Sequence, residues 1–113
     1  MKFRKYIVLI AVLVAVLSCR QRDVRTVEIR VPAMINKACV EHVVKAVMAV
    51  PGVDKESIEA NLEKRTISVK YESLQLAIKN IEFAIAEAGF AANEVPAKED
   101  AAKKLPPECT ASN

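Results

Sequence analysis

Four side chains in this sequence could bind or react through a thiol or an imidazole: Cys19, Cys39, His42 and Cys109. Cys39 and His42 are three residues apart, which is about one helical turn, so both can face the same way if the segment is helical. Copper and zinc accept imidazole, and thiolates suit soft ions such as Cu(I). The alternative for His42 is a solvated position on a helix surface. The chemistry of these residues depends on which helices and strands position them.

Cys19 has a separate role because it follows an export signal. Three basic residues near the N-terminus precede a continuous apolar run at residues 7–17. A run of this length is too short to cross a bilayer, which takes about 20 residues, but it suits a signal peptide. Residues 16–19, Val-Leu-Ser-Cys, are similar to a bacterial lipoprotein box, in which the Cys receives acyl chains. We expect a signal peptide at 1–18 and a lipidated tether at 19–26; ordinary cleavage near Ser18 and an uncleaved anchor are the alternatives.

Export would place the protein in an oxidising compartment. We expect a membrane-anchored lipoprotein on the periplasmic side or in the cell envelope, held to the membrane by its acyl chains. Disulfides persist outside the cytoplasm. Lipidation of Cys19 leaves Cys39 and Cys109, which could be a disulfide pair, two separate thiols or metal ligands.

The distribution of charge excludes one class of function. The net charge of +3 comes from Lys2, Arg4 and Lys5, and the rest of the chain has 14 basic and 14 acidic residues. Binding to nucleic acid normally needs a cluster of Lys and Arg that faces phosphates, so we expect no nucleic-acid partner. We also expect no enzyme, because the sequence has one His, no paired carboxylate motif and no Gly-rich phosphate loop.

The hydrophobic pattern predicts six elements in the order β-α-β-β-α-β. Strands are expected at 27–31, 58–62, 67–71 and 90–95, and helices at 37–50 and 73–89. The compact solution for this order is an α+β, ferredoxin-like sandwich with two helices on one face of a four-stranded antiparallel sheet. We expect the domain to span residues 27–95 and residues 96–113 to form a flexible tail.

The second helix should have one face towards the core and one towards solvent. Ser73 is a candidate N-cap. The expected inward residues are Leu74, Ile78, Ile81, Ile85 and Ala88. Leu76 and Phe83 fall on the opposite side, where they mark either a protein contact or scattered surface apolar residues.

Three short motifs occur in an order that resembles the heavy-metal-associated domain family. They are Ala33-Met34-Ile35-Asn36-Lys37-Ala38-Cys39, Pro51-Gly52-Val53 and Glu87-Ala88-Gly89-Phe90. The family, found in copper chaperones, metal-transporting ATPases and mercury-binding periplasmic proteins, has the loop Gly-Met-x-Cys-x-x-Cys, whose second Cys opens the first helix. Ala33 replaces the Gly here, and Asn36 replaces the first Cys.

The resemblance implies roles for the loop residues. Met34 should pack under the loop as a core residue, and Cys39 should sit at a helix N-terminus, where the helix dipole favours a thiolate. Asn36 is a poor substitute for a thiolate towards Cu(I), because its amide oxygen is a hard donor. The alternative for Cys39 is a buried, unreactive thiol.

Three arrangements could complete a metal site around Cys39. His42 could be the second ligand. Cys109 could instead be a second thiolate or a disulfide partner, because the 14 residues after Val95 reach about 46 Å when extended and the return path is roughly 20 Å. A metal-bridged homodimer would use one Cys39 from each chain.

The function expected from these observations is soft-metal binding or trafficking at the membrane surface by an exported domain. Cu(I) is the expected ion, with Zn(II) and Hg(II) as alternatives, and a metal transporter is an expected partner. The metal loop should point away from the membrane, because it and the tether lie at opposite ends of the first strand. The alternative function is a degenerate, non-metal-binding interaction or accessory module.

Overall fold

The structure is a computed structural model that describes residues 4–11 and 22–113. Residues 4–11, in the apolar N-terminal region, are helical. No helix within the described residues is both long and apolar enough to cross a membrane. Most of the predicted signal peptide core and the lipoprotein box with Cys19 lie outside the described residues.

A three-stranded antiparallel sheet forms the base of the domain. Its strands are β1 (Val24–Arg30), β2 (Glu59–Asn61) and β3 (Thr66–Glu72), and they are ordered β1-β3-β2. Val27 lies opposite Val69, and Ile29 lies opposite Ile67, so apolar residues of β1 and β3 share one face. The alternation seen in the sequence places that face in the core, because successive side chains of a strand point to opposite sides.

Two helices supply the other half of the core. They are α1 (Lys37–Met48) and α2 (Ile78–Glu87). Val43 and Val47 of α1, and Ile81 and Ile85 of α2, are buried in one cluster with the inward residues of β1 and β3. Both pairs recur at the four-residue spacing of one helical face, so each helix packs an apolar stripe towards the sheet. The predicted ferredoxin-like α+β arrangement is confirmed.

The predicted fourth strand is the main difference within the domain. Between Phe90 and Val95 the structure has a single bridge, Ala92 with Val95, in place of a regular strand. Asn93 adopts a positive φ of 49°, a conformation that Asn tolerates better than most residues. The segment still pairs with the end of β1: the Asn93 amide donates to the Arg30 carbonyl (2.9 Å), and the Arg30 amide donates to Asn93 Oδ1 (3.0 Å).

The second helix starts later than predicted. Ser73 does not cap it, because the Ser73 hydroxyl donates to the Asp23 carboxylate. The N-cap position is Ala77, whose amide donates to Asn80 Oδ1 (2.9 Å). The turn at 73–77 therefore belongs to the end of β3, and helical periodicity does not apply there.

This shift changes which side chains are buried. The expected inward residue Leu74 is exposed and Ile78 is partly so, whereas Leu76, expected on the outer side, is buried. The prediction was wrong for Leu74 and Leu76 because it extended the helix over a turn, and it was wrong for Ile78 because the first residue of α2 is exposed at the helix end. Ile81 and Ile85 are inward and Phe83 is exposed, as predicted.

Residues 96–113, expected to be a flexible tail, form ordered structure against the domain. The tail contains α3 (Glu99–Ala102) and a short 3-10 helix at Pro107–Cys109. The Lys98 amide donates to the Ala86 carbonyl (2.9 Å), and Leu105 packs against the core. These contacts, together with a covalent link described below, hold the tail on the domain.

Gly89 is the residue that lets the tail approach. It follows α2 with φ +102°, the left-handed conformation common after a helix C-terminus. A Cβ at this position would lie 2.8 Å from the backbone nitrogen of Ala102 and 2.9 Å from the carbonyl carbon of Ala101. The absence of a side chain therefore serves both the helix end and the docking of α3.

Candidate metal site

Cys39 and Cys109 form a disulfide across 70 residues of sequence. Their sulfurs are 2.08 Å apart and their Cα atoms 5.5 Å apart. Both residues are completely buried in the cluster that forms the domain core. The structure thus places the tail cysteine beside the cysteine of the loop that resembles a metal-binding motif.

Cys39 lies in the first turn of α1, as the sequence predicted. Asn36 is the N-cap of this helix, with extended backbone angles, and its Oδ1 accepts a hydrogen bond from the Cys39 amide (3.0 Å). Asn is among the preferred N-cap residues because its side chain satisfies one of the helix's unpaired amides. The end of the helix dipole here favours negative charge, and so a thiolate if the disulfide is opened.

Asn36 also links the loop to the tail. Its Nδ2 donates to Glu108 Oε1 at 3.3 Å, one residue before Cys109 in the chain. Both ends of the Asn36 amide are therefore used in structural hydrogen bonds. The residue that replaces the family's first Cys holds the helix start and the tail in place.

The rest of the loop has a buried middle, with Pro32 and Ile35 exposed on either side. Ala33 and Met34 are completely buried, and the Met34 amide donates to the Val31 carbonyl (3.0 Å). Met34 thus lies under the loop as a core residue, where the resemblance placed it. Ala33 fits in the position of the motif Gly without a positive φ, since Arg65 and Asn93 are the non-Gly residues with positive φ in the described chain.

His42 and Cys39 differ in burial. His42 is exposed on α1 and lines a surface depression with the tail residues Asp100 and Lys104, whereas Cys39 is buried. Among the described residues, no group of three or more His, Cys, Asp or Glu side chains is arranged to hold a metal ion. A Cys39–His42 ligand pair stays a prediction, and Cys19 lies outside the described residues.

Two tail residues whose side chains hold the tail on the domain were missed in the sequence analysis. Glu108 binds Asn36, and the side chain of Asn113 accepts from the Ala91 amide (2.9 Å) and donates to the Gly89 carbonyl (2.8 Å). Nothing in the local sequence around Glu108 or Asn113 indicates these partners. The capping role of Asn36 did have a signal, because an Asn directly before a helical pattern is a common N-cap.

Comparison with protein-family models gives a match over most of the folded domain. The model of the heavy-metal-associated domain family matches residues 28–91, more than half of the 113-residue chain. No curated protein matches the chain. The matched region includes Cys39 but ends before Cys109, so the second cysteine of the disulfide lies outside the family domain.

Several solved structures are similar to this one. Oxidized MerP from Ralstonia metallidurans is 28% identical with a TM-score of 0.59, and the alignment covers 63% of this chain and 96% of that protein. The mercury-bound form of MerP, the periplasmic protein from the bacterial mercury detoxification system, is 30% identical with a TM-score of 0.54 and the same coverage. The CopZ metallochaperone is 26% identical with a TM-score of 0.55, over 60% of this chain and 98% of that protein. The chain therefore belongs to the heavy-metal-associated domain family.

Proposed function

We propose that this protein is an exported heavy-metal-binding domain that holds a soft ion between the sulfurs of Cys39 and Cys109 at the membrane surface. Cu(I) is the ion proposed first, with Hg(II) and Zn(II) as alternatives. One observation carries the proposal: Cys109 is joined to Cys39 at the loop where Asn36 has replaced the first motif cysteine. The tail would thus supply the second sulfur ligand from outside the family domain.

The disulfide must be reduced before the two sulfurs can bind metal. A dithiol reductant would transfer two electrons and two protons to the Cys39–Cys109 bond and become a disulfide itself. The two thiols formed would lose their protons when metal binds, because the thiolate is the ligand. The N-terminal end of α1 lowers the cost of a thiolate at Cys39.

Two sulfurs held close together suit a soft ion. Thiolates are the soft ligands of proteins and select ions such as Cu(I). The Cα separation of 5.5 Å keeps both side chains at one point of the loop, and the 3-10 helix at Pro107–Cys109 covers it. The bond between Asn36 and Glu108 supports that cover. Metal binding and release would then require a small movement of the tail.

The N-terminal sequence supports the proposed export and anchoring. The short basic region, the apolar run and the Val-Leu-Ser-Cys stretch support a signal peptide and an acylated Cys19. The similar protein MerP is described as periplasmic. We propose that the domain passes metal to or from a membrane transporter, either as a monomer or as a metal-bridged homodimer.

The burial of the disulfide favours a second candidate function. Cys39 and Cys109 are completely buried, so the cross-link can be purely structural. The domain would then be an accessory module that binds another protein and no metal.

Metal affinity distinguishes the two candidates. The mature chain is reduced, freed of reductant without oxygen and checked for two titratable thiols from Cys39 and Cys109. Cu(I) is then competed against a chromogenic Cu(I) chelator. The matched variants are Cys39→Ala, Cys109→Ala and His42→Ala. A positive control combines Asn36→Cys with Cys109→Ala, which restores the two-cysteine loop of the family.

Under the proposal, the parent protein and His42→Ala compete with the chelator, while Cys39→Ala and Cys109→Ala do not. If Cys109→Ala still binds and His42→Ala does not, His42 is the second ligand. If the positive control binds Cu(I) and the reduced parent does not, the metal-binding proposal is wrong and the structural function is supported.

A further inference from the structure

Several large apolar side chains are exposed at one end of the domain. Val24 is 55% exposed, Leu74 65%, Ile78 40% and Met48 40%. We call this set the tether pole. In a small domain with limited core, side chains of this size in one region indicate a contact surface.

Backbone pairing places these residues at one end. Val24, the first residue of β1, lies opposite Glu72, the last residue of β3. The Ser73 amide, one residue before Leu74, donates to the Asp23 carbonyl (2.8 Å). Ile78 opens α2 four residues after Leu74.

The end of α1 is joined to the same place. The Glu72 amide donates to the carbonyl of Gly52 (2.8 Å), which lies four residues after Met48. Three separate chain segments therefore meet around the start of β1.

Leu74 is held outward by its turn. The amides of Gln75 and Leu76 both donate to the Glu72 carbonyl (3.0 and 3.1 Å), which fixes the turn after β3. Leu76, two residues further, is buried, whereas Leu74 is the most exposed large apolar residue of residues 22–113. The hydrogen bonds of this turn therefore hold Leu74 on the surface while Leu76 enters the core.

The length of the tether decides what covers this pole. Cys19 is five residues before Val24, so the acylated residue can lie at most about 18 Å from the start of β1. The headgroup region on each side of a bilayer is roughly 5–8 Å thick. Any membrane that holds acyl chains on Cys19 is therefore within immediate reach of the tether pole, whereas the far end of β1 lies about 23 Å further from the tether.

We propose that the tether pole rests on the lipid bilayer that holds the acyl chains of Cys19. This inference rests on the lipid anchor of the proposed function. Apolar side chains enter the interface between headgroups and acyl chains, and the short tether keeps them near it at a high effective concentration.

The charges around the pole fit phospholipid headgroups. Asp23 Oδ2 accepts from Arg25 Nε (2.9 Å) and from the Ser73 hydroxyl, and Glu72 Oε1 accepts from the Asp23 amide (2.7 Å). Both carboxylates are thus engaged inside the turn. Arg22 is exposed and is the described residue nearest to Cys19 after the tether begins, so it is placed to meet phosphate groups, although it shares a surface depression with Asp54 and Glu72.

Contact at this pole fixes the orientation of the metal loop. Residues 31–39 follow the far end of β1, a seven-residue strand of about 23 Å. With the pole on the membrane, the disulfide and its loop face away from the bilayer. A soluble donor or the outer domain of a transporter could then reach the loop, and Cys39 itself once the disulfide is reduced and the tail moves.

The test uses the full mature lipoprotein in bilayer nanodiscs, with methyl-labelled Ile, Leu, Val and Met. Its mass is first measured for acyl chains on Cys19. Spin-labelled lipid is then added, and the loss of each methyl signal is compared with that in nanodiscs without the spin label. Matched internal controls are Ile35 and Leu62, which are 39% and 40% exposed at the opposite end of the domain.

The expected result is a loss of most signal at Leu74, Val24, Ile78 and Met48, with Ile35 and Leu62 nearly unchanged. Leu74→Glu should reduce the loss at the whole pole several-fold, and Leu62→Glu should not. An acylated protein with equal losses at both ends overturns the proposal and leaves the lipid anchor standing. A protein without acyl chains overturns both. If the methyl signals of the pole weaken as the protein concentration rises in nanodiscs without spin label, a second copy of the protein covers the pole in place of the bilayer.

Discussion

Opening the Cys39–Cys109 disulfide should lower the stability of this domain substantially. The cross-link joins the first turn of α1 to a residue near the C-terminus, across a sequence separation of 70 residues. It therefore restricts most of the unfolded chain. It also holds the tail segment that covers the loop, since α3 and the 3-10 helix lie between Gly89 and Cys109.

The size of the effect follows from the length of the closed loop. In the chain-entropy model, a loop of this length in the unfolded state corresponds to about 4 kcal/mol at 25 °C. For a domain of 60–100 residues, 1 kcal/mol shifts Tm by about 4–8 °C, so reduction should lower Tm by roughly 20 °C. Noncovalent contacts of the tail, such as that of Leu105 with the core, do not change this estimate, because they are present in both the oxidised and the reduced folded protein.

The assay is urea unfolding of the mature chain with and without reductant, at one pH and with the thiols counted in each sample. Reduced wild-type protein keeps both side chains, so it isolates the effect of the bond. Cys109→Ala is the matched control: it should unfold near the reduced protein and should not respond to reductant.

Two results would refute this reasoning. If the non-reduced protein has two titratable thiols at Cys39 and Cys109, the bond does not form. If the bond forms but its reduction changes the free energy of unfolding by less than about 1 kcal/mol, the constraint on the unfolded chain is not what stabilises the domain.

Three further substitutions test the start of α1, the docking of the tail and the turn that follows β3. Asn36→Ala should cost about 1 kcal/mol in urea unfolding because the Cys39 amide loses its cap, whereas Asn36→Ser, an uncharged N-cap residue that does not repel Glu108, should keep most of that stability; equal losses would contradict the capping role. Gly89→Ala should destabilise by more than about 1 kcal/mol, because φ is +102° and a Cβ would meet the backbone of the tail, and hydrogen exchange should rise in residues 99–109; unchanged exchange there would argue against tail docking. The pKa of Asp23 lies below its ordinary value of 3.8, mainly because the Ser73 hydroxyl donates to it, so its contribution to stability is present above that value and is lost as the pH falls through the lower, folded-state pKa. Ser73→Ala should therefore raise the pKa of Asp23 in an NMR titration, and an unchanged titration would contradict this assignment.

The local hydrophobic pattern was sufficient to predict the core residues of those elements that bury one regular face. Alternation in β1 and β3 and the four-residue spacing of Val43 and Val47 predicted which residues enter the core. Those signals predicted the ferredoxin-like arrangement, and the three short motifs pointed to the family. The position of Cys39 at the start of α1 was also predicted, because helical spacing begins at Lys37 and the resemblance places the second motif Cys at the start of the first helix.

The sequence failed where a residue's partner is far along the chain. Helical spacing placed Leu74 inward and Leu76 outward, but the hydrogen bonds of the Ser73 and Glu72 amides to Asp23 and Gly52 set that turn. Residues 90–95 form a turn at the end of β1 where a strand was expected, because Asn93 binds Arg30 through both its backbone and its side chain.

By itself, the sequence determined the order of β1, α1, β2, β3 and α2, the core faces of β1, β3 and α1, the export signal expected at the N-terminus and the cysteines available for chemistry. Only the tertiary structure decided that Cys109 meets Cys39, that Asn36 caps α1 and binds Glu108, and that residues 96–113 pack on the domain. The physical reason is the range of the interactions. Periodicity and capping act within a few residues, whereas the closure of a 70-residue separation depends on the whole fold that brings its two ends together.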